Sequence, residues 1–195
     1  MKRGFTLIET LVAVSLLSIA IVAPMTLTAK SLASAYYSRD QITAFYLAQE
    51  AIEALRSVRD GQVLQIAQSG SGADINLFGP IPIGTTLSPK PFTIDARKAD
   101  PSAAITTCPD FRVENCPALQ TDGTLYGYDP GWTTTNFKRT VTARFTKNAD
   151  GSDNEDEVRV TVTVTWQTGI IKLRTFSISE DLYRWVNDGS GRSQL

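Results

Sequence analysis

Histidine is missing from this 195-residue chain, and cysteine and methionine occur twice each. Without an imidazole there is no Ser–His–Asp triad and no histidine general base. Two cysteines without histidine leave too few nitrogen and sulfur ligands for a closed zinc site. Neither a Gly-x-x-x-x-Gly-Lys phosphate loop nor a Gly-x-Gly-x-x-Gly fingerprint is present, and pairs such as Glu180 and Asp181 read as ordinary surface charge. No cation excess exists either: 19 Lys and Arg stand against 20 Asp and Glu, a formal charge of −1. Nucleic acid and anionic lipid surfaces are therefore not implied as partners. The expectation from these absences is a protein that is not an enzyme and that holds no metal or cofactor.

What the chain does have is one long apolar run, "KRGFTLIETLVAVSLLSIAIVAP", directly after Met1. Thr10 to Ala29 are 20 residues without a charge, and Lys30 closes the run. About 20 apolar residues rising 1.5 Å each span the ~30 Å hydrocarbon core of a bilayer. Lys2 and Arg3 precede the run, so the N-terminus is expected in the cytoplasm and the remainder outside it, after a single crossing. Two processing boundaries are open. One lies after the apolar region, near Ala20, Ala23 and Pro24, as in a secretory signal; the other lies before it, between Gly4 and Phe5.

The residues "KRGFTLIETLVAVSLL" resemble the N-terminus of type IV prepilins and pseudopilins. The resemblance implies a short basic leader, residues 1–4, removed by a prepilin peptidase between Gly4 and Phe5. It also implies methylation of the new Phe5 amine, and it makes Glu9 the family's glutamate. A carboxylate in the membrane costs a few kcal/mol unless paired. Cleavage would create a cationic amine at Phe5, four residues from Glu9 and on the same helical face. Glu9 is thus expected to pair with that amine in its own chain in the bilayer. In a filament, the family implies pairing with a neighbour's amine, which would set subunit register. Pro24 offers no N–H to the carbonyl of Ala20, so a kink or helix break is expected there.

After the run comes "AFYLAQEAIEALRSVRDG". Ala44, Leu47, Ala51, Leu55 and Val58 recur at spacings of three and four, with Ile52 widening the stripe, while Glu50, Glu53, Arg56 and Arg59 occupy other faces. No Pro or Gly interrupts residues 30–60, and Gly61 is placed as a C-cap. One helix from Phe5 to about Asp60 is expected, roughly 80 Å long. Cleavage after Pro24 would destroy that spine, which favours the Gly4–Phe5 site. Residues 5–29 would be its membrane and assembly half, and 30–60 its amphipathic half. "LAQEAIEALRSVRD" also resembles the matching helix of minor pilins and I-type pseudopilins.

Residues 61–136 read as a loop-rich region: eight of the nine prolines fall between Pro80 and Pro130, beside a Ser-Gly patch at 69–72. Proline removes ladder donors, so only short edge strands are expected, in "LFGPIPIGTTL" and "KPFTIDAR". "CPDFRVENC" places Cys108 and Cys116 where an extracytoplasmic domain could close a disulfide; two free thiols are the alternative. Residues 137–186 alternate with period two. Phe137, Arg139, Val141, Ala143 and Phe145 share one face of a first strand, and Val158, Val160, Val162, Val164 and Trp166 one face of a second. "QTG" offers a turn and "IIKLRTFSIS" a third strand, giving sequential antiparallel pairing. "VTVTW" and the later "LYRW" resemble the tail of minor pilins, and residues 187–195 read as a tail. In "NADGSDNEDE", over 148–157, Asp150, Ser152, Asn154 and Asp156 alternate oxygen side chains as a calcium loop would, but glycine falls at Gly151 rather than six positions in. A solvated acidic loop is the simpler reading.

The expected fold is α+β, a long N-terminal helix packed on a small C-terminal antiparallel sheet. Loss of Lys2 and Arg3 would lower the formal charge from −1 to −3. The resemblance implies a structural subunit, minor or initiating, of a type IV pilus or pseudopilus. Its partners would be other pilins, the prepilin peptidase, the assembly machinery and the membrane. A singly anchored surface adhesin or binding domain that never polymerises is the alternative.

Overall fold

The structure is a computed structural model and describes residues 4, 6–69, 76–168 and 172–186. The fold is α+β: a long N-terminal helix, then a largely antiparallel sheet formed mainly by the C-terminal strands. The chain divides into two compact units after Gln41.

Helix α1 runs from Leu7 to Ser69 and is assigned to both units. In the first unit its large apolar side chains, from Leu7 through Leu32, are exposed. By length and composition α1 is long and apolar enough to cross a membrane. In the second unit the stripe read from the sequence is the buried one: Ala44, Leu47, Ala51, Ile52, Leu55 and Val58, joined by Ala48. The expected end near Asp60 is corrected, because the helix continues through Gly61 for another two turns. Glycine costs a helix interior only about 1 kcal/mol. "QVLQIAQ" beyond it contains good helix formers, and Gln62 is buried.

Three long strands form the body of the sheet: β7 (Phe137–Lys147), β8 (Asp153–Thr168) and β9 (Lys172–Tyr183). They pair antiparallel in sequence order. Phe137 faces Trp166, Val141 faces Val162 and Ala143 faces Val160, so the apolar sets of β7 and β8 share one face. The turn expected at "QTG" is described only through Thr168. On the far side of β7 lie three short strands, β1 (Ile83–Gly84), β2 (Phe92–Ile94) and β3 (Ile105–Thr107). β1 pairs with β7 in parallel, and β2 lies between β7 and β3. The edge-strand expectation for "KPFTIDAR" is therefore corrected: β2 is an interior strand with all three residues buried. Pro91 stops just short of it, and three residues suffice to carry Phe92 and Ile94 into the core.

The loop-rich region also holds a one-turn helix α2 (Pro101–Ala104), capped by Asp100, whose carboxylate accepts from the Ser102 N–H. A second small sheet joins β4 (Gln120–Thr121), β5 (Tyr126–Gly127) and β6 (Thr133–Thr134), in the order β5-β4-β6.

Candidate functional site

The N-terminal segment is built from Thr6 onward. Thr6 stands just before α1, and its hydroxyl accepts the Glu9 N–H at 3.3 Å. A threonine followed three residues later by glutamate, at the first turn of a helix, is the arrangement of a capping box. Glu9 also stands in the first turn, where its carboxylate complements the positive end of the helix dipole. Sequence reasoning treated Glu9 only as the partner of an amine. The Thr-x-x-Glu spacing was the signal for this second, local role. Phe5, the expected methylation site, lies outside the described residues, as does the leader through Arg3; Gly4 is exposed.

The hydroxyls of the apolar run are satisfied inside the helix. Thr10 donates to the Leu7 carbonyl, Ser15 to Val12, Ser18 to Val14 and Thr28 to Pro24, each at 2.8 Å. Bonding back to the preceding turn makes polar side chains tolerable in hydrocarbon. Pro24 lies inside α1 and withholds an N–H from the Ala20 carbonyl.

The globular unit is fixed around a buried guanidinium. Arg139 sits on the apolar face of β7 with 0% of its surface exposed. It donates to the Leu47 carbonyl of α1 at 2.9 Å and the Ile94 carbonyl of β2 at 2.6 Å, and it pairs with the Glu50 carboxylate at 2.6 Å. One side chain thus ties helix, short strand and long strand together. Next to β2, the buried Asp95 carboxylate takes two bonds from Arg97, at 2.6 and 3.0 Å. Arg97 also reaches Asp129 at 2.8 Å and stacks over the Trp132 ring at 4.3 Å. Burial pushes the Asp95 carboxyl up, but the hydrogen bonds and charge of Arg97, with Lys98 behind them, outweigh it and hold Asp95 below its usual value. Both clusters knit the fold.

Cys108 and Cys116 are joined as a disulfide, both buried. The loop between them makes two 3-10 turns, and its Glu114 carbonyl accepts from Lys138 Nζ at 2.8 Å, which lays the loop against the outer side of β7. In the 148–157 segment, strand β8 already begins at Asp153. The Asp150 carboxylate is taken by the Ser152 N–H and hydroxyl, and Asp153 pairs with Lys147 at 2.7 Å. Gly151 serves this tight turn with φ of 86°.

Among known proteins, a family model for the prokaryotic N-terminal methylation motif matches residues 1–23. No curated protein and no solved structure matches the chain.

Proposed function

We propose that this chain, which carries the N-terminal segment of the type IV pilin and pseudopilin family, is a structural subunit of a pilus or pseudopilus filament. A prepilin peptidase removes residues 1–4, and the exposed amine of Phe5 is methylated. The subunit waits in the cytoplasmic membrane with its globular unit outside, and the apolar half of α1 then packs with that of other subunits. The reading assigns it a minor or initiating place, on the resemblance of residues 47–60 and of the C-terminal strands to minor pilins.

The observation that carries this reading is the match at residues 1–23, which encloses the candidate cleavage site. Two features of the chain agree with it. The run from Leu7 to Leu32 leaves its large apolar side chains uncovered, as a segment destined for lipid or for other helices must. Glu9 is the sole charge from Phe5 to Ala29, which suits it to specify register in an otherwise uniform bundle.

Mass spectrometry of the membrane fraction from the native host tests the processing step. The expected product begins at Phe5 and carries one methyl group on its amine, and Gly4→Leu leaves the precursor uncut. A mature N-terminus beyond Pro24 contradicts the proposal, because it would discard the segment on which assembly depends.

A further inference from the structure

The outer face of the sheet, opposite the core, is mainly polar between Leu173 and Tyr183 at the two ends of β9. Across β8 and β9 it is a hydroxyl ladder: Thr161 meets Ser179 and Thr163 meets Ser177, each at 2.9 Å. At one end of this face, Arg144 and Arg159 stand directly opposite each other on β7 and β8. Like charges so placed repel. Arg159 is neutralised by Asp181, which it grips with two bonds at 2.7 Å. Arg144 has no ion pair or side-chain hydrogen bond with any described residue. A cation is left over at that end.

Two adjoining grooves meet at that cation. The turn after β1 overhangs the sheet, closed by the Thr85 N–H on the Ser88 carbonyl and by the Ser88 N–H on the Thr85 hydroxyl. Gly84 permits the turn, since a Cβ there would come within 2.5 Å of the Lys90 nitrogen. On one side of the turn is a groove of about 210 Å³ reaching Thr142 and Arg159, and on the other a groove of about 500 Å³ reaching Phe145 and Leu87. Thr86 and Arg144 border both. The hydroxyls of Thr86 and Thr142 are, like Arg144, without a partner among the described residues. Lys147 and Asp153 at the rim neutralise each other.

The geometry points to a binding site for an acidic sugar at this double groove, with Arg144 taking the carboxylate. The three kinds of group present select that chemistry. An unpaired guanidinium calls for an anion, which it can grip through two N–H donors. Two free hydroxyls match a ligand rich in hydroxyls. The wall formed by Phe145, Ile83 and the fully exposed Leu87 suits the C–H face of a pyranose ring and offers nothing to bare phosphate. The combined volume is in the usual range for small-molecule sites, roughly 300–1,000 Å³, enough for a short stretch of an acidic polysaccharide. This site does not depend on whether the chain polymerises.

The test is calorimetric titration of the full chain in detergent micelles with trigalacturonate, with neutral galactotriose and with inorganic phosphate. Trigalacturonate should bind, and binding should weaken with added salt. Galactotriose and phosphate should each bind at least about tenfold more weakly, as should trigalacturonate to Arg144→Gln, since a charge-assisted hydrogen bond is worth enough for that factor. Thr142→Val should weaken binding severalfold. Arg112→Gln, on the disulfide loop, should leave it unchanged. Arg144 is exposed and unpartnered, so its variant should melt like the parent. Equal binding of the neutral sugar, phosphate binding as tightly as the trisaccharide, no binding at millimolar ligand, or indifference to Arg144→Gln overturns the site. If wild type binds no sugar but Arg144→Gln depletes the chain from sheared filaments, the groove is a contact between subunits and the proposal fails.

Discussion

Single residues carry more of this structure than their types suggest. Arg139 was visible in the sequence as the one charge among Phe137, Val141 and Ala143 on the face of a strand. Its role was not visible, because its partners lie 92, 89 and 45 residues away and only the fold assembles them. The terminal nitrogens of Arg139 meet two carbonyls and a carboxylate, while its buried Nε has no hydrogen-bond partner among the described residues, and deleting one partner of such a buried pair costs about 3–5 kcal/mol. Asp95 behaves differently because it titrates. Its depressed carboxyl contributes stability that is present above the unfolded value, about 3.9, and is lost as pH falls through the folded value. Melting of the full chain in detergent should therefore weaken on acidification from pH 5 to pH 3, and Asp95→Asn should flatten part of that loss, with Asp122, Asp150 and Asp181, whose carboxyls are also held below the usual value, supplying what remains. An acid limb identical in parent and variant would show that Asp95 is not held by Arg97 in solution.

Elements were legible where their period was long. The 3.6-residue stripe from Ala44 to Val58 is the buried face of α1, and the period-two runs at 137–145 and 158–166 are β7 and β8 with the expected sides inward. Short elements between Pro80 and Pro130 carry no period, so β2 reads as an edge although β3 covers it. The end of α1 was misplaced for a related reason: Gly61 looks like a cap by type, but caps depend on the left-handed conformation, and Gly61 stays in the helix. Open space surrounds the position where its Cβ would be. Gly61→Ala is thus expected to stabilise the globular unit by about 0.5–1 kcal/mol. The unfolding midpoint in urea should rise with an unchanged slope. A fall in the midpoint would place the helix end back at Asp60.

At the scale of the whole molecule, an uncovered apolar half-helix and a stitched globular unit make sense together if the first is completed by other molecules. The resemblance of residues 2–17 supplied that idea from sequence, and the family match at residues 1–23 supports it. Beside it stands the local contribution of Glu9, signalled by the Thr-x-x-Glu spacing: its backbone N–H closes on Thr6, and its carboxylate stands in the first turn of the helix. Removing that carboxylate takes the one charge out of the apolar segment, so Glu9→Ala should insert at least as well as the parent. Cleavage at Gly4–Phe5 should survive, because the leader is intact. Recruitment should fail, since a neighbour's Phe5 amine would be buried without a partner. The decisive measurement is the ratio of tagged subunit in sheared filaments to that left in the membrane, for the parent and for Glu9→Ala. The account predicts a parent that enters the filament fraction and a variant that is processed but stays in the membrane; a Glu9→Ala chain recovered in filaments at the parental ratio, or a parent never found in them, would contradict it.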